Sequence, residues 1–503
     1  MKFKLPVHWL AVVAMATWLG ACGDGTTDIT ELVPDVPESE DPANEDPANE
    51  DPANGEPTIP IYVTFTSHED AQVITGSRTI TLAGTVTSTT EITAATLTAT
   101  LNGEPMTVDV EEDTFSVELT LGDLDNVIEV LVAFQGESHN GKLTLNYPFL
   151  AFADGQDAAV VIGQPDFETS NSELSATGLS GVWGNPAVGN GILYLADTSH
   201  HRVLGYNGIP TVNGAAADFV LGQPDFTSAE VSATQGGLNN AGSISIKGDT
   251  MAVADARNHR VLLYQGLPVT TGTEPDVVIG QADFEANDPA CDATSLRNPY
   301  DVRLTESRLF VADRANHRVL IWNTIPTQNG APADVVLGQE SLDSCESGTN
   351  ASALNRPMGV WSDNERVVVT DVDNNRVLIW NTVPSTHGQA ADIVLGQENM
   401  DASEWDPLSA TSFAWPIYAT FNGNQLFVGD CGANSRARVL TWDAFPEENN
   451  VPADRVLGSP DFEDPPGGTT QSSLRCIGGL IAYENQLIVS DADNARVLIF
   501  EAP

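Results

Sequence analysis

Ala312-Asp313-Arg314-Ala315-Asn316-His317-Arg318-Val319-Leu320 is the fullest form of a stretch that occurs six times in the chain. Its aspartates are Asp197, Asp255, Asp313, Asp371, Asp430 and Asp491, and its arginines are Arg202, Arg260, Arg318, Arg376, Arg438 and Arg496. The aspartates are spaced by 58, 58, 58, 59 and 61 residues, too regularly for chance and too closely for separate domains. A second stretch, Val-Leu-Gly-Gln-Pro-Asp-Phe and its variants, keeps the same beat through Gly163, Gly222, Gly280, Gly338, Gly396 and Gly458. Self-similarity at a fixed period marks a repeat architecture.

One unit, 354–397, shows the layout, with strands expected at 357–362, 366–371, 376–381 and 391–397. Four short strands in each of six units predict a six-bladed β-propeller over 157–503. The stretch 159–164 reads as a fourth strand with no blade before it, and the chain ends on a third strand, 496–500. Joining them completes the last blade and removes two open sheet edges. Each aspartate ends a second strand and each arginine begins a third, so each pair flanks one tight turn. Shared by every blade, the pair reads as structural, the carboxylate accepting turn amides and the guanidinium reaching carbonyls.

The Asp-x-x-Asn-x-Arg-Val core resembles that of NHL-repeat propellers. That resemblance implies a closed six-bladed disc serving as an interaction scaffold. Related propellers include lyases and lactonases with a divalent metal in the channel, so a metal-dependent channel enzyme is the alternative it implies.

Ahead of the propeller, 58–148 alternates apolar and polar residues in short runs rich in Thr and Val, such as 79–82, 96–101, 115–119 and 127–132. This period of two predicts about seven strands, a small β-sandwich with one face of each strand buried. Asn102-Gly103 is a hairpin signal. The pattern resembles bacterial immunoglobulin-like modules, without their Cys-Trp-Cys signature. Gly136 to Lys142 has phosphate-loop spacing, but Leu143 stands where Ser or Thr would hold magnesium. A strand reads on from Lys142 where a phosphate loop needs a helix, so the stretch is expected to be a hairpin turn.

The formal charge is -49, from 70 acidic and 21 basic residues, which excludes nucleic acid as a partner of the folded part. It suits a solvated surface in salty surroundings. Many weak calcium sites on that surface are the alternative to this, and no other cofactor is expected of the leading reading. Lys2 and Lys4 precede an apolar run, 9–19, that is short for a bilayer and ends Leu19-Gly20-Ala21-Cys22, so 1–21 reads as a signal peptide. Those last four residues resemble the bacterial lipobox, which implies lipidation of Cys22. Gly23 in place of an aspartate implies the outer membrane, with the protein periplasmic or surface-exposed. The stretch 22–57 is acidic and Pro-rich, with Glu-Asp-Pro-Ala-Asn three times in tandem from Glu40 to Asn54. It has little to bury and reads as an extended tether.

Chemistry is sparse. The sequence holds no Gly-x-Ser-x-Gly, His-Glu-x-x-His or Cys-x-x-Cys. His201, His259 and His317 occupy one repeat position at the start of third strands, roughly 15 Å from the axis given ~4.8 Å between strands. They cannot share a zinc ion whose ligands lie ~2 Å away. Asp371-Val372-Asp373-Asn374 and Asp491-Ala492-Asp493-Asn494 look like the start of a calcium loop but lack its downstream glutamate. The innermost strands and their entry loops differ between blades, and they nominate Trp183, Tyr300, Asp301, Arg303, Arg356, Trp361, Trp415 and Tyr418 as a channel-face binding set.

Besides Cys22 there are four cysteines, and an exported protein meets oxidising conditions. Cys291 and Cys345 lie in loops entering consecutive blades. Cys431 lies in the turn after a second strand, and Cys476 begins the first strand of the next blade. Of three pairings, only Cys291–Cys345 with Cys431–Cys476 joins neighbours.

The leading expectation is an outer-membrane lipoprotein whose propeller presents a binding face to an envelope or extracellular protein or a glycan. Cys22→Ser is expected to abolish lipidation and leave a soluble or uncleaved product, because Cys22 is the only lipidation signal found. Membrane fractionation checks this, and unchanged detergent-dependent partitioning overturns the lipoprotein reading.

Overall fold

The computed structural model describes residues 61–502 apart from 71, 75–78, 89–95, 112, 123, 135–136, 148, 406 and 433–435. The expected signal peptide, Cys22 and the expected tether lie outside the described residues. Among those described, no helix is long and apolar enough to cross a membrane.

The protein is all-β, a small sandwich followed by a six-bladed propeller. Blade 1 carries strands Ala187–Gly189, Ile192–Asp197, Arg202–Tyr206 and Phe219–Leu221, paired antiparallel in that order from the axis outward. Blades 2 to 5 repeat this, with innermost strands Ala241–Lys247, Asp301–Leu304, Gly359–Ser362 and Pro416–Phe421. Blade 6 takes Ile477–Tyr483, Gln486–Asp491 and Arg496–Glu501 from the end of the chain and Val160–Ile162 from the beginning. Val160 faces Ile499 and Ile162 faces Val497, so the expected clasp closes the ring. We call upper the edge of the disc bearing the Asp–Arg turns and the loops between blades; the opposite edge is lower.

The turns explain why the repeat is written as it is. In five blades the aspartate is followed by one 3-10 turn, and the next residue is left-handed: His201, His259, His317, Asn375 and Ala495 have φ between 49° and 55°. Asn and His enter this region more readily than most residues. Each arginine is fully buried, and each of its three guanidinium nitrogens donates to an acceptor. Arg318 Nε donates to Asp313 Oδ2 at 2.8 Å, its NH1 to the Leu342 carbonyl, and its NH2 to the carbonyls of Asp292 and Ser295. One guanidinium thus holds the second strand, the loop entering the blade and the loop leaving it. The other aspartate oxygen accepts Arg297 N at 2.6 Å, while Asn316 Nδ2 bridges Asp313 Oδ2 and the Ala290 carbonyl.

The second motif completes the joint. The carbonyl of Phe167, Phe226, Phe284 or Phe462 in Pro-Asp-Phe or its variant accepts NH1 of that blade's arginine. The glutamine side chain clamps the left-handed residue: Gln223 Nε2 donates to the carbonyls of His201 and Glu230. Burial pushes the Asp255 carboxyl up to about 6 against the pull of Arg260.

Blade 5 departs from this scheme. Ser459 replaces the glutamine, Ala437 replaces the histidine, and Asp430 binds Arg438 through both Nε and NH2 at 3.1 Å. Covalent bonds stand nearby: Cys431–Cys476 ties blade 5 to blade 6, and Cys291–Cys345 ties the loops entering blades 3 and 4. Both expected pairs are formed.

In the sandwich, Ile61–Phe65, Thr79–Ser88, Thr114–Thr120 and Asp109–Glu111 form one sheet. Gln72–Val73, Glu137–Tyr147, Leu124–Phe134, Thr96–Leu101 and Glu104–Met106 form the other, giving nine strands where about seven were expected. Leu82, Val117, Ile128, Val130 and Leu145 fill the space between them. Asn102 and Gly103, at φ 52° and 86°, make the expected hairpin. The stretch read as a turn up to Lys142 is already strand from Glu137, and Phe134 pairs with Glu137. The segment after the sandwich is packed onto the lower edge of blade 5. Leu150 N donates to Gln425 Oε1 at 2.6 Å, Val456 N donates to Asp154 Oδ1 at 3.0 Å, and the Arg455 guanidinium lies 5.4 Å from the Phe149 ring centroid.

Two outcomes follow for stability. Arg318→Met strands a buried carboxylate and is expected to cost about 3–5 kcal/mol in chemical denaturation. Each disulfide closes a similar loop, 54 and 45 residues, worth about 4 kcal/mol by chain entropy. Removing Cys431–Cys476 is nevertheless expected to cost more than removing Cys291–Cys345, because blade 5 lacks the amide clamps. Paired Cys→Ser variants compared by urea melts measure the difference.

Candidate functional site at the propeller axis

Asn185, Ser243, Asp301, Gly359, Tyr418 and Gly479 each lie twelve residues before the aspartate of their own blade. They therefore occupy one height on five innermost strands and, for Asn185, just before the sixth, and form a tier around the axis. Such strands present unpaired backbone amides, which must find acceptors when buried. Asp301 supplies them. Its Oδ1 accepts Val302 N at 3.0 Å and Asn185 Nδ2 at 3.1 Å, and its Oδ2 accepts Val360 N at 2.7 Å. Asn185 Oδ1 accepts Leu480 N at 2.9 Å, and Ser243 Oγ accepts Asn185 N at 3.0 Å. The two glycines are required by contact: a Cβ on Gly479 would lie 2.2 Å from the Gly184 carbonyl, and one on Gly359 2.8 Å from that of Ile417. This tier closes the upper channel.

Burial pushes the Asp301 carboxyl up to about 6, opposed by donors from Ser243, Val360, Val302 and Asn185. Tyr418 is fully buried, and burial raises its phenol well above the usual value. Its hydroxyl has no hydrogen-bond partner of sound geometry, although Ser243 lies close enough to influence its acidity.

Two residues further along each strand are Ala187, Ser245, Arg303, Trp361, Thr420 and Ile481, all lining a cavity of about 50 Å³. Arg303 Nε donates to the Ser362 carbonyl at 3.0 Å, and its guanidinium lies 5.2 Å from the Trp361 ring centroid. Trp361 is 5% exposed and packs edge-on against Phe421.

The nominated binding set is therefore divided. Asp301, Trp361 and Tyr418 are buried packing residues and not an exposed mouth, because six side chains at equivalent positions converge on one axis. Arg303 lies below the closed tier. Trp183 is half-buried between blades 6 and 1. On the upper edge Tyr300 lies under Arg314, 5.3 Å away, Arg356 reaches Asp373 at 3.4 Å, and Trp415 is 50% exposed. Sequence reasoning missed Trp405, 60% exposed in the same loop as Trp415, and the axial roles of Asn185 and Ser243. Twelve-residue spacing from the aspartate was the available signal for the latter two.

The histidines are structural. Nδ1 of His201, His259 and His317 accepts the backbone amide of Asn240, Asn298 and Arg356 in the loop entering the next blade, at 3.0–3.1 Å. Burial lowers all three pKa values, helped by Arg257, Arg297 and Arg356 respectively. Among the described residues no three His, Cys, Asp or Glu side chains group as metal ligands. In the stretches resembling calcium loops, Asp371 and Asp491 already accept backbone, asparagine and arginine donors.

No family model matches the chain, and no curated protein does. Among solved structures it is similar to a candidate phosphatase from Bacteroides thetaiotaomicron, at 11% identity over 88% of this chain and 98% of that one, TM-score 0.40. It is similar to a candidate 6-phosphogluconolactonase from Bacteroides fragilis at 14% identity, covering 74% and 86%, TM-score 0.34. A PQQ-bound aldose sugar dehydrogenase from Streptomyces coelicolor gives 11%, 69% and 99%, TM-score 0.35. Likenesses this distant carry no function across.

The histidine contacts have a pH signature. Their folded pKa values lie below the unfolded value near 6.5, so their contribution is present above that pH and lost as pH falls through the lower folded values. His201→Asn/His259→Asn/His317→Asn, copying Asn375 of blade 4, is expected to remove this loss. The difference between the two stability profiles from pH 7.5 to 5 measures it, since the opposite contribution of Asp301 cancels.

Proposed function

We propose that the chain is an NHL-type propeller lipoprotein with an immunoglobulin-like spacer, anchored at the outer membrane through Cys22, that binds a partner on its upper edge. The observation that carries this is the closed axis. A cavity of about 50 Å³ is far below the ~300–1,000 Å³ of sites for organic ligands, which counts against the channel-enzyme alternative. Recognition then belongs to an outer face. The lower edge of blade 5 already receives the sandwich segment, whereas the upper edge displays Trp405 and Trp415.

Charge favours the same edge. Arg257, Arg297, Arg314, Arg356 and Arg475 lie in its loops and turns, and Arg436 at the end of a strand that reaches it, in a chain of net charge -49. Tryptophan and arginine are the side chains that most often dominate binding energy. An envelope or extracellular protein or a glycan fits such a surface.

Trp405→Ala/Trp415→Ala is expected to lose the partner that co-purifies with the wild type from native membranes, with a melting temperature within ~2 °C, since both rings are largely solvated. A lower-edge control, Val212→Ser, is expected to retain it. Equal recovery by both variants overturns the assignment of the upper edge.

A further inference from the structure

The cavity below the closed tier contains one charged group, and that group has no counter-ion in contact with it. Among the described residues Arg303 makes no ion pair within 4 Å, although Asp301 and Asp363 are near enough to act on it through space. Asp301 is committed to the tier above, and Asp363 is bound to Arg366 at 2.7 Å. One Arg303 donor is used on the Ser362 carbonyl, which leaves the terminal amines on the cavity side without protein acceptors. A half-buried cation in this condition is costly unless something neutralises it.

The rest of the wall offers donors. Thr420 is a buried residue of the cavity wall, and among the described residues its hydroxyl makes no hydrogen bond to the protein. Ser245 Oγ accepts Leu304 N at 2.9 Å, which leaves its hydroxyl hydrogen free to turn inward. Trp361 forms the wall beside the guanidinium, and its indole N–H is sealed from solvent and is no donor to the cavity. Asn185 gives one amide hydrogen to Asp301 and accepts Leu480 N on its oxygen. No carboxylate lines the cavity. A water needs about 10–15 Å³ of such volume, so the space holds a few waters, or one small ion with a water or two, and nothing larger.

We propose that this cavity is a site for a small monovalent inorganic anion of chloride size, held by the Arg303 guanidinium with the Thr420 and Ser245 hydroxyls. The ion neutralises the cation between the innermost strands of blades 2, 3 and 5 and so stabilises the closed ring. It binds the folded state alone, which makes its effect on stability saturable.

The test replaces gluconate by chloride at constant ionic strength and follows the melting temperature of the full chain. A saturable rise of a few degrees is expected in chloride, against the general ranking in which strongly excluded anions stabilise more. Arg303→Met keeps the apolar stem on Trp361 and is expected to abolish the rise. Should that variant not fold, crystals of the unaltered protein in bromide decide the matter by an anomalous peak beside Arg303. Identical melting in both salts, or no peak in the cavity, shows water alone there and overturns the proposal.

Discussion

The structure depends on a buried guanidinium that cannot be left with unsatisfied donors. Removing an arginine and an aspartate from water costs several kcal/mol per ion, so the pair alone is no evidence of stability. What matters is where the remaining donors go. In each blade they reach backbone carbonyls of the entering and leaving loops, which are far apart in sequence. The loops between blades therefore have one placement in which the arginine is satisfied, and any other strands a buried charge. This is how a short motif fixes long irregular connections, and why it recurs in every blade.

Blade 5 shows the same constraint by its exceptions. With glutamine and histidine gone, that turn keeps its Asp–Arg pair but lacks the amide clamps around it. The Cys431–Cys476 bond supplies a covalent link at the same edge. At the other end of the ring, three residues from the start of the propeller finish the sheet that its last residues leave open. Closure thus combines sheet pairing, buried charge and two covalent ties, and the ties lie on the edge whose loops vary most.

The repeat, the strand order, the clasp and both disulfides were legible because periodicity and alternating strand direction constrain them directly. The axial residues were not. Tyr418, Asp301 and Trp361 differ from their counterparts in other blades, and such variation was read as a binding face. Around an axis, variation has another cause: six strands must share one small volume, and they approach so closely that two positions take glycine, Gly359 against the Ile417 carbonyl and Gly479 against that of Gly184. Trp405 was missed for the opposite reason. It lies in a rim loop with no repeated partner and no alternation, where only solvent exposure distinguishes it.

The acidic composition acquires a partly architectural explanation. Asp166, Asp225, Asp283 and Asp461 each accept the backbone amide two residues on, and all but Asp225 also the amide three residues on, closing the turn after an outermost strand. Hydrogen bonds from Thr169 and from Thr227 hold Asp166 and Asp225 below the usual carboxylate range, so they stay charged. On the lower edge Asp218, Asp276, Asp334, Asp392 and Asp454 each accept the amide eleven residues earlier. These carboxylates are multiplied by the repeat itself, and much of the self-repulsion they create is inseparable from the fold. The arginines other than the six repeated ones are under no such requirement, and their concentration on the upper edge is therefore the more informative feature of the charge pattern.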